Sequence, residues 1–331
     1  MDFVNIMKNK AKSGKKKLVL PEGTDPRIIK AARAIMDEQL ATSVTLLGNV
    51  SDIKKIAETE KVDLGGINII FPGTDADLNK YAGEYYNLRK HKGMTEEQAK
   101  TEMADPLRWG SMMIRLGAAD AMVAGVVNTT GEVLRAGLAI IGTVPGLKTA
   151  SSCFVMAGLD SKWGEGGSLI FADCAVIPNP TSEQLADIAE SSAQSCREFL
   201  GVEPVVAMMS FSTKGSASHD DVNKVTAAVE ILKGKKPNFL FDGELQADAA
   251  LVPSVTEKKA PGSPVTGKVN TLVFPDLDAG NIGYKLVQRL GNAEAYGPFL
   301  QGFAKPISDL SRGASVNDIV ITCAVTLSRV K

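Results

Sequence analysis

The sequence P-I-S-D-L-S-R-G-A-S-V-N-D-I-V, residues 306–320, governs the interpretation of the whole chain. It places a hydroxyl (Ser311), a guanidinium (Arg312) and a carboxylate (Asp318) just before an apolar run. Ser315 and Asp318 fit the S-x-x-D capping box that begins a helix. Helix N-termini favour anions, so the stretch predicts an anion site beside this helix. The pattern is equally explained if Asp318 only caps the helix and Arg312 is only a solvated charge.

The whole chain alternates short apolar runs with amphipathic segments. The predicted strands are residues 18–20, 44–47, 67–71, 121–127, 152–156, 169–174, 205–211, 239–242 and 271–274. The predicted helices are residues 25–40, 51–60, 81–92, 95–103, 107–116 and 181–200. This alternation predicts an α/β fold with largely parallel sheets and right-handed crossovers. Ligands bind beyond the carboxyl ends of such strands, so the loops after residue 127 and before Asp318 are the first candidates for a site.

The length indicates two domains, because 331 residues are many for one hydrophobic core. A Pro-Gly pair at 145–146 and a Gly-Pro pair at 297–298 mark candidate crossing points. They predict a discontinuous first domain, residues 1–147 plus 297–331, and a second domain, residues 148–296. Two consecutive domains are the alternative. The discontinuous division returns residues 306–320 to the first domain and predicts an interdomain cleft, where ligand sites often lie.

Composition and charge exclude several classes of protein. The net charge of −1 provides no global basic field that would gather nucleic acid. No apolar run approaches the roughly 18 residues of a membrane span, and the lysine-rich N-terminus lacks a signal-peptide pattern. The four cysteines form no C-x-x-C pair. We therefore expect reduced thiols, a cytoplasmic location and small-molecule partners.

Two further segments are candidates for binding an anion. Asn128 and Thr130 follow an apolar strand and precede a helix, so their side chains could hold a phosphate or a carbonyl. The alternative is that Thr129 or Thr130 only caps that helix. Arg89 lies in a basic cluster that suits either a phosphate clamp or a solvated helix end.

Nothing in the sequence predicts a metal or nucleotide motif. The acidic residues in 242–248 and 276–281 suit Mg²⁺ or, as we prefer, turns and caps. Residues 214–220 lack the P-loop pattern, and no G-x-G-x-x-G follows a strand. The two histidines have no partner at zinc-ligand spacing. We therefore expect no metal and no required cofactor.

Several motifs together carry a family resemblance. They are V-N-T-T-G-E-V-L-R-A-G (127–137), F-S-T-K-G-S-A (211–217), F-D-G-E-L-Q-A-D (241–248), F-P-D-L-D-A-G-N (274–281) and D-L-S-R-G-A-S (309–315). The chain resembles the phosphate acetyltransferase (phosphotransacetylase) family. The resemblance implies reversible acetyl transfer between coenzyme A and inorganic phosphate. It also implies two isocitrate/isopropylmalate-dehydrogenase-like α/β domains and a homodimer, with coenzyme A as a substrate.

The resemblance also carries over individual residues. Ser311, Arg312 and Asp318 match the family's catalytic positions. Arg89 and Arg135 match arginines that are associated with binding coenzyme A or phosphate. Asn128 and Thr130 are added from the strand-end argument and not from the resemblance.

The implied chemistry assigns a role to each residue type. A thiol has a pKa of about 8.5, so a base such as Asp318 helps to ionise it. An ordinary Asp pKa of about 3.9 is mismatched by roughly 6 kcal/mol, so burial must raise it or proton transfer must accompany attack. We expect Arg312 to face the phosphate and the developing oxyanion, with direct transfer in a ternary complex. The alternatives are a phosphate butyryltransferase, a metal- and NAD-dependent dehydrogenase and a non-catalytic acyl-CoA binding module.

Overall fold

The computed structural model describes residues 2–330, so both terminal residues of the predicted first domain lie outside the described residues. The chain separates into two compact units. The first unit contains residues 2–145 and 303–330, and the second unit contains residues 146–302. The second crossing point therefore falls six residues after the predicted boundary at 296/297.

The helices and strands of residues 2–330 are as follows. The helices are α1 Phe3–Gly14, α2 Pro26–Asp37, α3 Val50–Thr59, α4 Leu78–Arg89, α5 Glu96–Met103, α6 Pro106–Arg115, α7 Thr130–Ile140, α8 Ser182–Leu200, α9 Asp220–Lys235, α10 Ala247–Leu251, α11 Pro253–Lys259, α12 Leu277–Leu290 and α13 Val316–Ser328. The strands are β1 Lys17–Leu20, β2 Ser43–Leu47, β3 Ile67–Ile70, β4 Ala121–Ala124, β5 Ser151–Ala157, β6 Leu169–Ala172, β7 Val205–Met209, β8 Leu240–Leu245, β9 Thr271–Val273, β10 Glu294–Gln301 and β11 Ile307–Asp309. This confirms the predicted α/β class.

The first unit is built on a parallel sheet in the order β11-β4-β1-β2-β3. Apolar side chains of the strands, α2 and α13 form its core, with Leu20, Ile29 and Ile319 fully buried. Because β1, β4 and β11 are parallel neighbours, the loops that follow them leave from the same edge of the sheet. The loops after β4 and β11 carry the residues that the sequence analysis singled out around positions 128 and 311.

The second unit is built on a mixed sheet in the order β10-β5-β6-β9-β7-β8. Strand β5 pairs antiparallel with both β10 and β6, whereas the other pairs are parallel. The Gly297-Pro298 pair lies inside β10 and not at a boundary, and the register with β5 shifts between Tyr296 and Phe299. A proline is tolerated at such an irregularity in an edge strand. The boundary prediction at 297 was wrong for this reason.

Other predicted bounds also differ from the structure. The predicted loop at 257–268 begins inside helix α11, and the predicted strand 205–211 ends at Met209. The sequence analysis assigned no helix to residues 3–14, yet Phe3, Met7 and Ala11 are buried at helical spacing where α1 packs on α13. Short strands such as β11 were missed because three residues carry too little pattern. No helix among residues 2–330 combines the length and apolarity of a membrane span.

Two glycines of α12 provide a test of the packing of the second unit. A Cβ at Gly280 would lie 2.2 Å from the carbonyl oxygen of Asp173, whereas a Cβ at Gly283 would meet only Phe274 at 3.4 Å. Gly280→Ala should lower the melting temperature, because overpacking typically costs about 1–3 kcal/mol. Gly283→Ala should leave it unchanged or raise it, because Ala is favoured over Gly in helices by about 1 kcal/mol. Equal melting temperatures for both variants, measured by calorimetry, would contradict this packing.

Candidate active site

The loop after β4 is held by one buried carboxylate. Glu22, in the loop after β1, is 5% exposed. Its Oε2 accepts hydrogen bonds from the backbone N–H groups of Gly125 and Val126, both at 2.9 Å. Its Oε1 accepts from the backbone N–H groups of Val127 and Asn128, at 3.0 and 2.8 Å. Strand β4 was predicted to reach residue 127 but ends at Ala124, because the N–H groups that follow bond to a side chain and not to a neighbouring strand.

The loop after β11 is held by a guanidinium. Arg27, in the first turn of α2, donates to the carbonyl oxygens of Arg312 at 2.6 Å and Ala314 at 3.2 Å. It also donates to the carbonyl oxygen of Val126 at 3.2 Å and pairs with Asp25 at 2.8 Å. Glu22, in the β1–α2 loop, therefore fixes the loop after β4, and Arg27, at the start of α2, fixes the loop after β11.

Helix α7 begins with a capping box between Thr129 and Glu132. Thr129 is therefore the N-cap residue of α7, and the Thr130 hydroxyl takes no part in the capping box. The backbone hydrogen bond from Thr129, and then its side-chain hydrogen bond, lower the pKa of Glu132, and the charges of Arg135 and Arg312 lower it further. Both arginines are exposed, and both act on the Glu132 carboxylate from different helix starts. Both guanidiniums therefore interact electrostatically with the same carboxylate at this edge of the sheet.

Thr130 contacts a buried acid. Its Oγ1 donates to Oδ2 of Asp309, the last residue of β11, at 2.5 Å. Asp309 is 3% exposed, and its Oδ1 has no hydrogen-bond partner within residues 2–330. Burial raises the pKa of Asp309 to about 6, against the opposing effects of the hydrogen bonds from the Thr130 hydroxyl and the Leu310 backbone N–H.

Helix α13 begins with the predicted capping box. Oδ2 of Asp318 accepts from the backbone N–H and the hydroxyl of Ser315, at 2.9 and 2.8 Å, and the Asp318 N–H donates to the Ser315 hydroxyl at 3.2 Å. The Ser311 hydroxyl accepts from the Gly313 N–H at 3.2 Å. Ser311, Arg312 and Asp318 are all exposed. The predicted capping box is thus present, whereas a catalytic role of Asp318 stays a prediction, and its Oδ1 accepts no hydrogen bond from residues 2–330.

The remaining candidates differ in their surroundings. The side-chain amide of Asn128 donates to Glu22 at 2.9 Å, so this nitrogen already has a partner. Arg89 is the last residue of α4, which packs on α6 and α7. Its buried Nε has no hydrogen-bond partner within the described residues 2–330. Its role in binding coenzyme A or phosphate stays a prediction.

The comparison with known proteins is decisive for the family. Residues 2–327 match the family described as phosphate acetyl/butaryl transferase. The chain belongs to this family. Phosphate acetyltransferase of Treponema pallidum is 58% identical over 330 residues, which cover 99% of this chain and 98% of that protein.

Solved structures agree with this membership. A phosphotransacetylase from Streptococcus pyogenes is 39% identical, with a TM-score of 0.92, over 99% of this chain and 98% of that one. EutD phosphotransacetylase from Staphylococcus aureus is 40% identical, with a TM-score of 0.90, over 100% of this chain and 98% of that one. Both share the fold of the phosphate acetyl/butaryl transferase chain described above.

Two acidic motifs of this phosphate acetyl/butaryl transferase family member have structural partners. Asp242 pairs with Lys214 and accepts from Ser263, and Asp248 pairs with Lys259 at 2.8 Å. Asp276 caps α12 by accepting from the Ala279 N–H at 2.8 Å. Asp276 is therefore a cap, as preferred, whereas Asp242 and Asp248 are held in ion pairs. Within residues 2–330, no group of three or more His, Cys, Asp or Glu residues is arranged to hold a metal ion.

Sequence reasoning missed Glu22, Arg27 and Asp309 in this family member. Each has a local signal, because Glu22 and Asp309 stand at the carboxyl ends of predicted or observed strands and Arg27 follows the Asp25-Pro26 helix start. What was missing is the identity of their partners, which lie 99–287 residues away for Glu22 and Arg27. Such pairings can be identified only when the order of the strands in the sheet is known.

The raised pKa of Asp309 predicts a pH-dependent stability. The ordinary value is 3.8, so folding favours the protonated form. The Asp309 carboxyl group therefore contributes to the free energy of unfolding below pH 3.8. This contribution, on the order of 3 kcal/mol, is lost as the pH rises through about 6. Asp309→Asn should therefore gain melting temperature relative to wild type between about pH 4 and pH 7.

Ser308→Ala is the control, because Ser308 is a buried neighbour in β11 that does not titrate in this range. Its difference from wild type should not depend on pH. A constant difference between Asp309→Asn and wild type in calorimetry across this range would contradict the raised pKa.

Proposed function

We propose that this chain, an acyltransferase by its family and its relatives, transfers an acetyl group reversibly between coenzyme A and inorganic phosphate. The observation that carries the proposal is the convergence of Ser311, Arg312, Thr130 and Arg135 at the starts of two helices that follow adjacent parallel strands. Two guanidiniums beside two helix N-termini suit a phosphate group. The curated relatives that match nearly the whole chain carry the same activity in their names.

The reaction needs no covalent enzyme intermediate. In one direction the coenzyme A sulfur attacks the carbonyl carbon of acetyl phosphate, a C–S bond forms, and the C–O bond to the leaving phosphate breaks. In the other direction a phosphate oxygen attacks acetyl-CoA and the thiolate leaves. Arg312 stabilises the developing oxyanion and the phosphate, while Ser311 donates a hydrogen bond to the carbonyl or the thiol. The described chain offers no histidine beside Ser311 to activate it as a nucleophile.

Asp318 is the proposed general base for the thiol. Its Oδ2 is engaged with Ser315, which leaves Oδ1 for the thiol proton. The carboxylate is exposed, and we propose that proton transfer accompanies formation of the C–S bond, as general-base catalysis allows.

Arg89, Arg135 and Asn128 complete the proposed binding residues for coenzyme A and phosphate. We further propose that the enzyme needs no metal or other cofactor, is cytoplasmic, acts as a homodimer and serves acetate metabolism. The isocitrate/isopropylmalate-dehydrogenase-like architecture also stays a prediction. Acetyl rather than butyryl is the proposed acyl group, and one methylene in an apolar pocket changes binding by only about 1–3 kcal/mol.

The direct test is phosphate-dependent release of free thiol from acetyl-CoA, with and without EDTA. We expect release that requires phosphate and is unaffected by EDTA, because arginines meet the phosphate charge. Binding of coenzyme A without thiol release would indicate a binding module. An absorbance change at about 340 nm with a 2-hydroxy acid and NAD would indicate a dehydrogenase. Loss of activity in EDTA with rescue by Mg²⁺ would contradict the metal-free mechanism.

Asp318→Asn separates the catalytic role from the capping role. Asn keeps a capping oxygen but cannot accept the thiol proton, so kcat should fall by about 10²–10⁴. The melting temperature should fall by only a few degrees at most. Ser315→Ala is the matched control, because it breaks the capping box, at about 1 kcal/mol, and keeps the carboxylate. If Ser315→Ala loses as much kcat as Asp318→Asn, Asp318 acts only as a cap.

The arginine assignments are tested by steady-state kinetics. Arg89→Ala and Arg135→Ala should each raise KM for phosphate or coenzyme A roughly 10–10²-fold, the range of a lost charge-assisted hydrogen bond. Lys at either position should restore only part of the loss, because it lacks the planar fork. Arg33→Ala, which breaks a surface pair with Asp37, is the control and should leave KM unchanged. Unchanged KM values in both test variants would return these arginines to the solvated surface.

A further inference from the structure

Thr130 is one of the proposed binding residues, but its partner Asp309 has no role in the mechanism above. Asp309 ends β11, two residues before Ser311, and Thr130 is the first residue of α7. One carboxylate oxygen of Asp309 accepts from the Thr130 hydroxyl, and the other is buried and makes no well-formed hydrogen bond within residues 2–330, although the Leu310 backbone N–H acts on this carboxyl group. A buried carboxyl oxygen without a partner is destabilising. Such a group at a strand end, beside the residues of the site, indicates a function other than stability.

The Asp309 side chain is packed closely against the backbone of Gly125. A Cβ at Gly125 would lie 2.5 Å from Asp309 Oδ1 and 2.5 Å from the Leu310 nitrogen, so only glycine fits between the two strands here. The N–H of the same glycine donates to Glu22. Two acids, Glu22 and Asp309, therefore stand close to one backbone segment, and the Glu22 charge disfavours ionisation of Asp309.

We propose that Asp309 is a positioning residue for acetyl transfer, which fixes the Thr130 hydroxyl as a hydrogen-bond acceptor for the protonated substrate group. This inference rests on the proposed function. The group that Thr130 would accept from is a P–OH of phosphate, because the thiol proton goes to Asp318 in the mechanism above. Arg135 and Arg312, at the same helix starts, would hold the anionic part of the substrate.

The chemistry follows from the single proton of a hydroxyl. An ionised carboxylate only accepts hydrogen bonds, so Thr130 must give its proton to Asp309 and offers only lone pairs to a ligand. Protonated Asp309 can donate to Thr130, which releases the Thr130 O–H to act as a donor toward the ligand. That arrangement has the wrong polarity for a substrate P–OH. The Asp309–Thr130 pair thus has a productive form at neutral pH and a reversed form in acid.

Charged groups around the pair define the pH range of this reversal. Burial raises the pKa of Asp309 to about 6, and Glu22, from the β1–α2 loop, acts in the same direction. On the α7 side, the contact of Asp309 is the neutral Thr130. Arg27, from α2, donates hydrogen bonds to carbonyl oxygens of the two loops and interacts electrostatically with Glu22. The reversal should therefore occur in mildly acidic solution.

The test compares kcat/KM of wild type and Asp309→Asn for phosphate-dependent thiol release from about pH 5 to pH 8. Asn resembles the protonated acid, so the variant should be roughly 10–10²-fold slower near pH 8, as for a misplaced reacting group. The two rates should converge to within about threefold near pH 5. Substrate ionisations are common to both proteins and cancel in the ratio. Thr130→Val should show the same ratio, and the double variant should lose no more than either single variant.

Two controls keep the test decisive. Ser308→Ala removes a buried hydrogen bond from Thr326 in the same strand and should leave kcat/KM unchanged. Thr130→Ser keeps the hydroxyl and should restore the wild-type pH profile. If Asp309→Asn does not fold, Thr130→Val alone provides the test. The ratio of its kcat/KM to that of wild type must then rise as the pH falls. A pH-independent ratio, or full activity of Thr130→Val, overturns the inference, whereas an inactive wild type overturns the proposed function and the inference with it.

Discussion

The active-site edge of the first unit depends on the buried carboxylate of Glu22. Gly125 and Val126 are buried after β4 has ended, so their N–H groups need acceptors that the sheet no longer supplies. Glu22 supplies them, together with acceptors for the next two N–H groups of the loop. Arg27, five residues later, supplies donors to carbonyl oxygens of both neighbouring loops. One short segment after β1 therefore fixes the starts of α7 and α13, and with them the arginines and hydroxyls to which we assign the proposed reaction.

The second unit uses the same device at the end of β6. Asp173 is 3% exposed and accepts from the N–H groups of Ala175, Val176 and Ile177. It also accepts from both the backbone and the hydroxyl of Ser152. A buried carboxylate that collects backbone N–H groups after a parallel strand gives an irregular loop a fixed form. Asp309 differs from both acids, because it has a single side-chain donor and one oxygen without a partner within residues 2–330. That difference is why it is a candidate for function and the other two are candidates for structure.

Whether a feature could be predicted from the sequence depends on how far apart along the chain the interacting residues lie. The Ser315–Asp318 capping box and the Asp25-Pro26 helix start involve residues two or three positions apart, and both were predicted correctly. The end of β4 was placed three residues late, because Glu22 lies 103 residues from Gly125 in sequence. The Gly297-Pro298 pair was taken for a boundary, because nothing local shows that β10 continues through it to pair with β5. Ser311 and Arg312 could be named from their motif, but the neighbourhood of Arg312 and Arg135 requires the adjacency of β4 and β11.

The central claim is that Glu22 builds the loop on which the site stands. Amide hydrogen exchange on wild type and Glu22→Gln measures this directly, because exchange reports local opening residue by residue. We expect the amides of residues 125–128 in wild type to be protected like those of β4 itself. In Glu22→Gln, whose side chain has one acceptor oxygen instead of two, those four amides should exchange much faster while β2 and β3 stay protected, and thiol release should fall in parallel. Rapid exchange of the four amides in wild type, or unchanged protection in the variant, would contradict the claim.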